Sequence, residues 1–137
     1  MESSITYRTN RKLTADEFID VLQRSTLAER RPVEDRQKIQ AMLDHASVLI
    51  TAWAGETLVG VSRALTDFSF CCYLSDLAVD EAFQKQGLGK QLITETHLAA
   101  GLHTTLILLA APKAATYYPK IGMEQFTDCF LIRKKSA

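Results

Sequence analysis

Leu77-Ala-Val-Asp-Glu-Ala-Phe-Gln-Lys-Gln-Gly-Leu-Gly-Lys-Gln-Leu92 decides how this chain is read. Apolar Leu77-Ala78-Val79 end a strand that starts near Phe70. Gln84 to Gly89 form a glycine-punctuated turn, and Leu88, Leu92, Ile93, Thr96 and Ala99 recur on one side of a helix that ends near Gly101. Backbone amides gathered at a helix N-terminus attract anions, phosphate above all. Glycine there lets the main chain approach a ligand with no Cβ in the way. The residues alone leave a second reading open, a strand-to-helix turn that needs glycine only for its geometry.

The totals limit what such a turn serves. Lys plus Arg and Asp plus Glu number 16 each, so no global field draws nucleic acid or an acidic membrane, and an anionic ligand has to be held by local groups. Hydrophobic residues make up 47% and charged residues 23% of the 137, the balance of one soluble domain spanning 1–137. Met1 to Asn10 lacks the apolar core of a signal peptide, and no apolar run reaches bilayer length, which predicts a cytoplasmic protein. Three cysteines, two of them adjacent (Cys71, Cys72), argue against a disulfide framework and are expected to be small buried apolar groups. His45, His97 and His103 show no ligand spacing, so no metal is expected.

Outward from the turn, the pattern mixes two periods. Ser4 to Thr9 alternates as a first strand. Thr14, with Glu17 three residues on, opens a helix running to Leu27. Pro32 suits the start of a second helix that carries Ile39, Met42 and Leu43 to about His45. Val48–Ala54 and Thr57–Leu65 read as a hairpin through Gly55-Glu56. Thr105–Ala110 is continuously apolar, as in a central strand covered on both faces. Pro112–Tyr118 is a short helix that Pro119 should end, and Phe126–Arg133 a last strand. The order β-α-α-β-β-β-α-β-α-β predicts an α+β fold, with a mixed, mostly antiparallel sheet flanked by about four helices.

A second motif lies downstream: Ala114-Ala-Thr-Tyr-Tyr-Pro-Lys-Ile-Gly-Met123. With Leu77-Ala78-Val79, Gln84-x-x-Gly87-x-Gly89 and the element order, it resembles the GCN5-related N-acetyltransferase (GNAT) superfamily over nearly the whole chain. The resemblance implies an acetyltransferase that uses acetyl-CoA as donor and a primary amine of a small molecule or protein as acceptor. It implies that the main chain of Leu77, Ala78 and Val79 pairs with the pantetheine arm, and that amides of Gln84, Lys85, Gln86, Gly87, Leu88, Gly89 and Lys90 hold the pyrophosphate. Lys85 and Lys90 would add charge-assisted contacts.

By the same resemblance, Tyr118 stands beside the thioester sulfur. A phenol there can protonate a departing thiolate. The attacking amine must lose a proton, and Asp76 is the candidate base, with Asp67 behind it. The chain departs from the family pattern at Ala111, where asparagine is frequent, at Met123, where an aromatic closes the motif, and at Gln84, where arginine is common. The family allows a homodimer. A non-catalytic CoA-binding regulatory module of the same fold is the competing class. Arg30, Arg31 and Arg63 are expected to pair with Glu29, Glu34 and Asp35, the other option being an acidic acceptor.

Overall fold

In the computed structural model, which describes residues 4–135, five strands form one sheet in the order β1-β2-β3-β4-β5. They are β1 (Ile5–Thr9), β2 (Val48–Ala54), β3 (Thr57–Thr66), β4 (Cys71–Val79) and β5 (Thr105–Ile107). The first four pair antiparallel, and β5 lies parallel to β4. The α-helices are α1 (Ala15–Ser25), α2 (Arg36–Asp44), α3 (Leu88–Ala100) and the one-turn α4 (Tyr117–Lys120). This is the mixed α+β architecture that the element order predicts.

Alternation along β2 sorts the core into two layers. Leu49 and Trp53 face one side and pack with Phe18, Val21 and Leu22 of α1 and Ile39 of α2. Val48, Ile50 and Ala52 face the other and pack with Leu88 and Leu92 of α3. Burying each of these large apolar side chains contributes about 1.5–3 kcal/mol. α3 crosses close to the sheet at Gly60, where a Cβ would come 3.1 Å from Leu92 and 3.3 Å from Ala52. Behind Leu92, a buried hydrogen bond of 2.7 Å joins the hydroxyls of Ser62 and Thr96 and fixes the roll of α3 on β3.

Local chemistry explains the helix ends. Thr14 and Glu17 form the expected capping box on α1. The helix stops at Ser25, two residues short of expectation, because Thr26 turns left-handed (φ 71°) and a 3-10 turn over Leu27–Arg30 follows. α2 begins after Asp35, whose carboxylate accepts from the Lys38 amide at 3.1 Å, so Asp35 and not Pro32 is its start signal. Pro112–Ala114 is a separate 3-10 turn, and Pro119 lies inside α4. In a first turn, proline gives up an N–H that has no intrahelical partner anyway.

Two strand expectations fail. Thr105–Ala110 is not a covered central strand: only three residues ladder, at the sheet edge, and Ile107 is 54% exposed. Phe126–Arg133 forms no strand. β5 offers it only a three-residue edge, and Phe130 and Ile132 stand almost wholly in solvent. Among the described residues, no helix is long and apolar enough to cross a membrane, and no group of three or more His, Cys, Asp or Glu is placed to hold a metal ion.

Candidate active site

The sheet opens where β5 ends. The ladder between β4 and β5 runs from Cys71 opposite Thr105 to Tyr73 opposite Ile107, while β4 continues for six more residues. From Leu74 to Val79, β4 has a strand neighbour only on its β3 side. The unpaired backbone groups along that edge seek other partners. The Ser75 carbonyl accepts from Arg31 at 2.8 Å, and the Val79 carbonyl accepts from the Gln84 side chain at 3.0 Å. A cleft of about 1200 Å³ fills the gap. Its walls come from β4, from the Leu27–Arg30 turn with Arg31, from the chain after β5, from Tyr118 and from residues 131–134.

Leu77, Ala78, Val79, Gln84 and Tyr118 therefore line one cleft. The rest of the turn, Lys85 to Lys90, adjoins it at the N-terminus of α3 without lining it. Lys85 (φ 65°) and Gly87 (φ 84°) both turn left-handed, and Gly87 leaves the helix with no side-chain cap. Apart from the Lys90 amide, which donates to the Tyr117 hydroxyl, the first-turn amides of α3 have no side-chain cap, as a phosphate cradle requires. A Cβ at Gly87 would meet nothing within 4 Å, so glycine serves the backbone there.

Asp76 is not placed to act as a base. It is wholly buried, does not line the cleft, and gives its two carboxylate oxygens to Arg31 Nε and Arg63 Nε. Register explains the pairing. Asp76 sits opposite Arg63, beside a bulge in which Ala64 pairs with Leu74. The bulge re-aims the strand: Cys72 before it packs with the α3 layer, and Ala78 after it packs with the α1/α2 layer. Arg63 further donates to the Ser75 hydroxyl at 3.1 Å and the Met42 carbonyl at 3.3 Å. Arg31 and Arg63 thus pair with Asp76, not with Glu29, Glu34 or Asp35, and Arg30 does not share that carboxylate.

Asp67 is a turn residue. Its carboxylate accepts from the amides of Ser69, Phe70 and Cys71 at 2.8–3.1 Å, which hold it down to about 2, far too weak a base for an amine. The carboxylates that do line the cleft are Glu29 and Glu81.

The two adjacent tyrosines part ways on α4. Tyr118 faces the cleft, where burial pushes its phenol above the ordinary value near 10 and neighbouring Tyr117 adds to the shift. It is therefore fully protonated at neutral pH. Tyr117 points instead at the α3 turn. Burial raises its phenol, and a hydrogen bond from the Lys90 amide partly offsets this. The rings meet edge to face, 5.3 Å between centroids. The motif alone does not mark Tyr117; the one signal in the sequence is that successive helical residues point about 100° apart.

Of the cysteines only Cys72 is buried, and burial raises its thiol; Cys71 and Cys129 are exposed, against expectation. His97 and His103 engage the carbonyls of Thr104 and Phe68, not a thiol.

Comparison with known proteins gives the family and supports the fold. The model of the acetyltransferase (GNAT) domain matches residues 17–130, and the chain belongs to that family. An uncharacterized N-acetyltransferase ycf52 of Porphyra purpurea is 32% identical over 107 residues, covering 72% of this chain and 59% of its own length. This chain thus spans under two thirds of that relative. Among solved structures, a GNAT-family acetyltransferase of Streptococcus pneumoniae superposes with a TM-score of 0.73 at 22% identity, covering 97% of this chain and 98% of its own. An aminoglycoside N-acetyltransferase solved with CoA gives 0.73 at 18% identity, covering 99% and 98%. At such identities these structures share the fold.

Proposed function

We propose that this chain transfers an acetyl group from acetyl-CoA to a primary amine of a small molecule or protein by direct attack. The observation that carries the reading is the free edge of β4 at Leu77–Val79, in one cleft with a protonated Tyr118 and next to the uncapped α3 turn. Leu77, Ala78 and Val79 offer that edge to the pantetheine amides. Gln84 first releases the Val79 carbonyl, an exposed hydrogen bond of small cost. The amides of Lys85 to Lys90, with the ammonium groups of Lys85 and Lys90, hold the pyrophosphate once the Lys90 amide has released the Tyr117 hydroxyl. Membership of the GNAT family and the CoA-bound relative of like fold support this assignment.

Bound acetyl-CoA supplies the thioester carbonyl: the amine nitrogen bonds to that carbon as the carbon–sulfur bond breaks. Tyr118 gives its phenolic proton to the leaving sulfur. The acceptor's surplus proton leaves to water or to Glu29, since both oxygens of buried Asp76 are engaged by Arg31 and Arg63. The phenolate of Tyr118 then regains a proton from solvent.

The test is calorimetric titration with acetyl-CoA, followed by an acceptor screen that reads free thiol. Binding with amine-dependent thiol release is expected. Binding without thiol release across a broad amine panel would make the chain a CoA-binding regulatory module.

A further inference from the structure

Arg31, on the wall of the cleft, carries a positive charge that its carboxylate partner does not fully neutralise. Asp76 supplies one negative charge to two guanidinium groups, which leaves a surplus of one. Arg63 donates one N–H each to Asp76, Ser75 and Met42, and its side chain is only 8% exposed. The surplus therefore reaches solvent at Arg31, whose side chain is 22% exposed and lines the cleft. Of the five guanidinium N–H groups of Arg31, one goes to Asp76, one to the Ser75 carbonyl and one to the Arg30 carbonyl at 2.8 Å. One N–H on each terminal nitrogen is left to donate to an anionic group such as a carboxylate or phosphate. Arg30, Arg133 and Lys134 line the same cleft, against Glu29 and Glu81, in a chain whose net charge is zero.

Resting on the acetyl-transfer reading, we infer that the acceptor is an amine that also carries an anionic group, a carboxylate or a phosphate, docked on Arg31. Asp76 and Ser75 act as positioning groups: they hold the guanidinium still, so little rotamer entropy is lost when the anion binds. Polycations are the wrong partners for this wall. The charge balance runs against aminoglycosides, the substrates named for the CoA-bound relative.

The test compares matched amines on the intact chain with acetyl-CoA: β-alanine against propylamine, O-phosphoethanolamine against ethanolamine, and spermidine as the polycation. Free thiol reads turnover, and calorimetry on the CoA-loaded protein reads acceptor binding. The anionic member of at least one pair should win by roughly tenfold or more in kcat/KM and in affinity; which pair wins tells carboxylate from phosphate. Arg31→Gln should erase the preference mainly through KM, with Arg31→Lys restoring part of it. Equal affinity and turnover within both pairs, or a preference for propylamine or spermidine, would overturn the inference while leaving acetyl transfer intact, and needs no variant to be seen. Failure of acetyl-CoA itself to bind would remove the donor site, and this inference with it.

Discussion

The Tyr117 hydroxyl lies 2.8 Å from the point where a Cβ on Gly89 would stand. Gly89 is helical in backbone, so its lack of a side chain serves that approach and not a left-handed turn. The aromatic carbon behind the hydroxyl is 3.5 Å away, an ordinary contact. Alanine at 89 should therefore clash with the oxygen alone. We expect Gly89→Ala to be destabilising in the native protein. In a Tyr117→Phe background it should be neutral, or stabilising by up to about 1 kcal/mol, since alanine is the better helix former. Urea midpoints of the two single variants and the double variant should show a coupling of about 0.5 kcal/mol or more. Additive effects would mean the hydroxyl is not where the structure puts it.

Tyr118 is the partner that faces the cleft. Tyr118→Phe removes the proton donor but keeps the ring, so kcat should fall roughly 10–1000-fold while acetyl-CoA affinity barely changes. The sign of the pH dependence follows from the raised phenol. The acid form is present throughout neutral pH and is lost only as pH rises past 10. In the native protein kcat should decline on that alkaline side, and the decline should vanish in Tyr118→Phe. Unchanged turnover, or an alkaline decline that survives the substitution, would take Tyr118 out of the reaction.

How far the sequence foretold these two tyrosines separates local from non-local information. The α1 capping box, the β2–β3 hairpin and the glycine turn are each settled within a few residues, and each was legible. Tyr118 was legible by motif. Burial along β5 was not, because Thr105–Ala110 has the same composition whether both faces are covered or one edge lies open. Phe126–Arg133 alternates like a strand, but alternation says nothing about whether a neighbour exists to pair with. The setting of Asp76 is hidden from sequence for a similar reason. Its partners Arg31 and Arg63 lie 45 and 13 residues away, and the bulge at Ala64 and Leu74 decides which face it takes.

The Arg31–Asp76–Arg63 cluster makes a prediction that the base assignment does not. Removing one partner of a buried ion pair strands the others, at a cost of about 3–5 kcal/mol. Asp76→Asn should lower the urea midpoint accordingly with little change in slope. It should also raise the KM for acceptor by loosening Arg31. A base at 76 would instead leave stability normal and collapse kcat. Folded Asp76→Asn protein with a native midpoint and no turnover would return Asp76 to the catalytic role.

Asp67 governs stability in acid. Three amides of its own turn hold the carboxyl at about 2 in the folded chain, against 3.8 for the unperturbed group. A folded value below the unfolded one means that the folded chain binds the proton less readily. The resulting stabilisation is complete above pH 4 and is lost as pH falls from there toward 2. Phe68 sits left-handed (φ 59°) inside this turn, so the three bonds also hold a costly backbone conformation. Asp67→Asn keeps the size of the side chain and removes the titration. Its melting temperature should be lower than native at pH 7, and the gap should shrink steadily between pH 4 and 2. Asp16 and Glu17 are depressed as well, so both proteins will keep a residual acid slope. A gap that stays constant across that range would mean the turn amides do not hold Asp67 in its charged form.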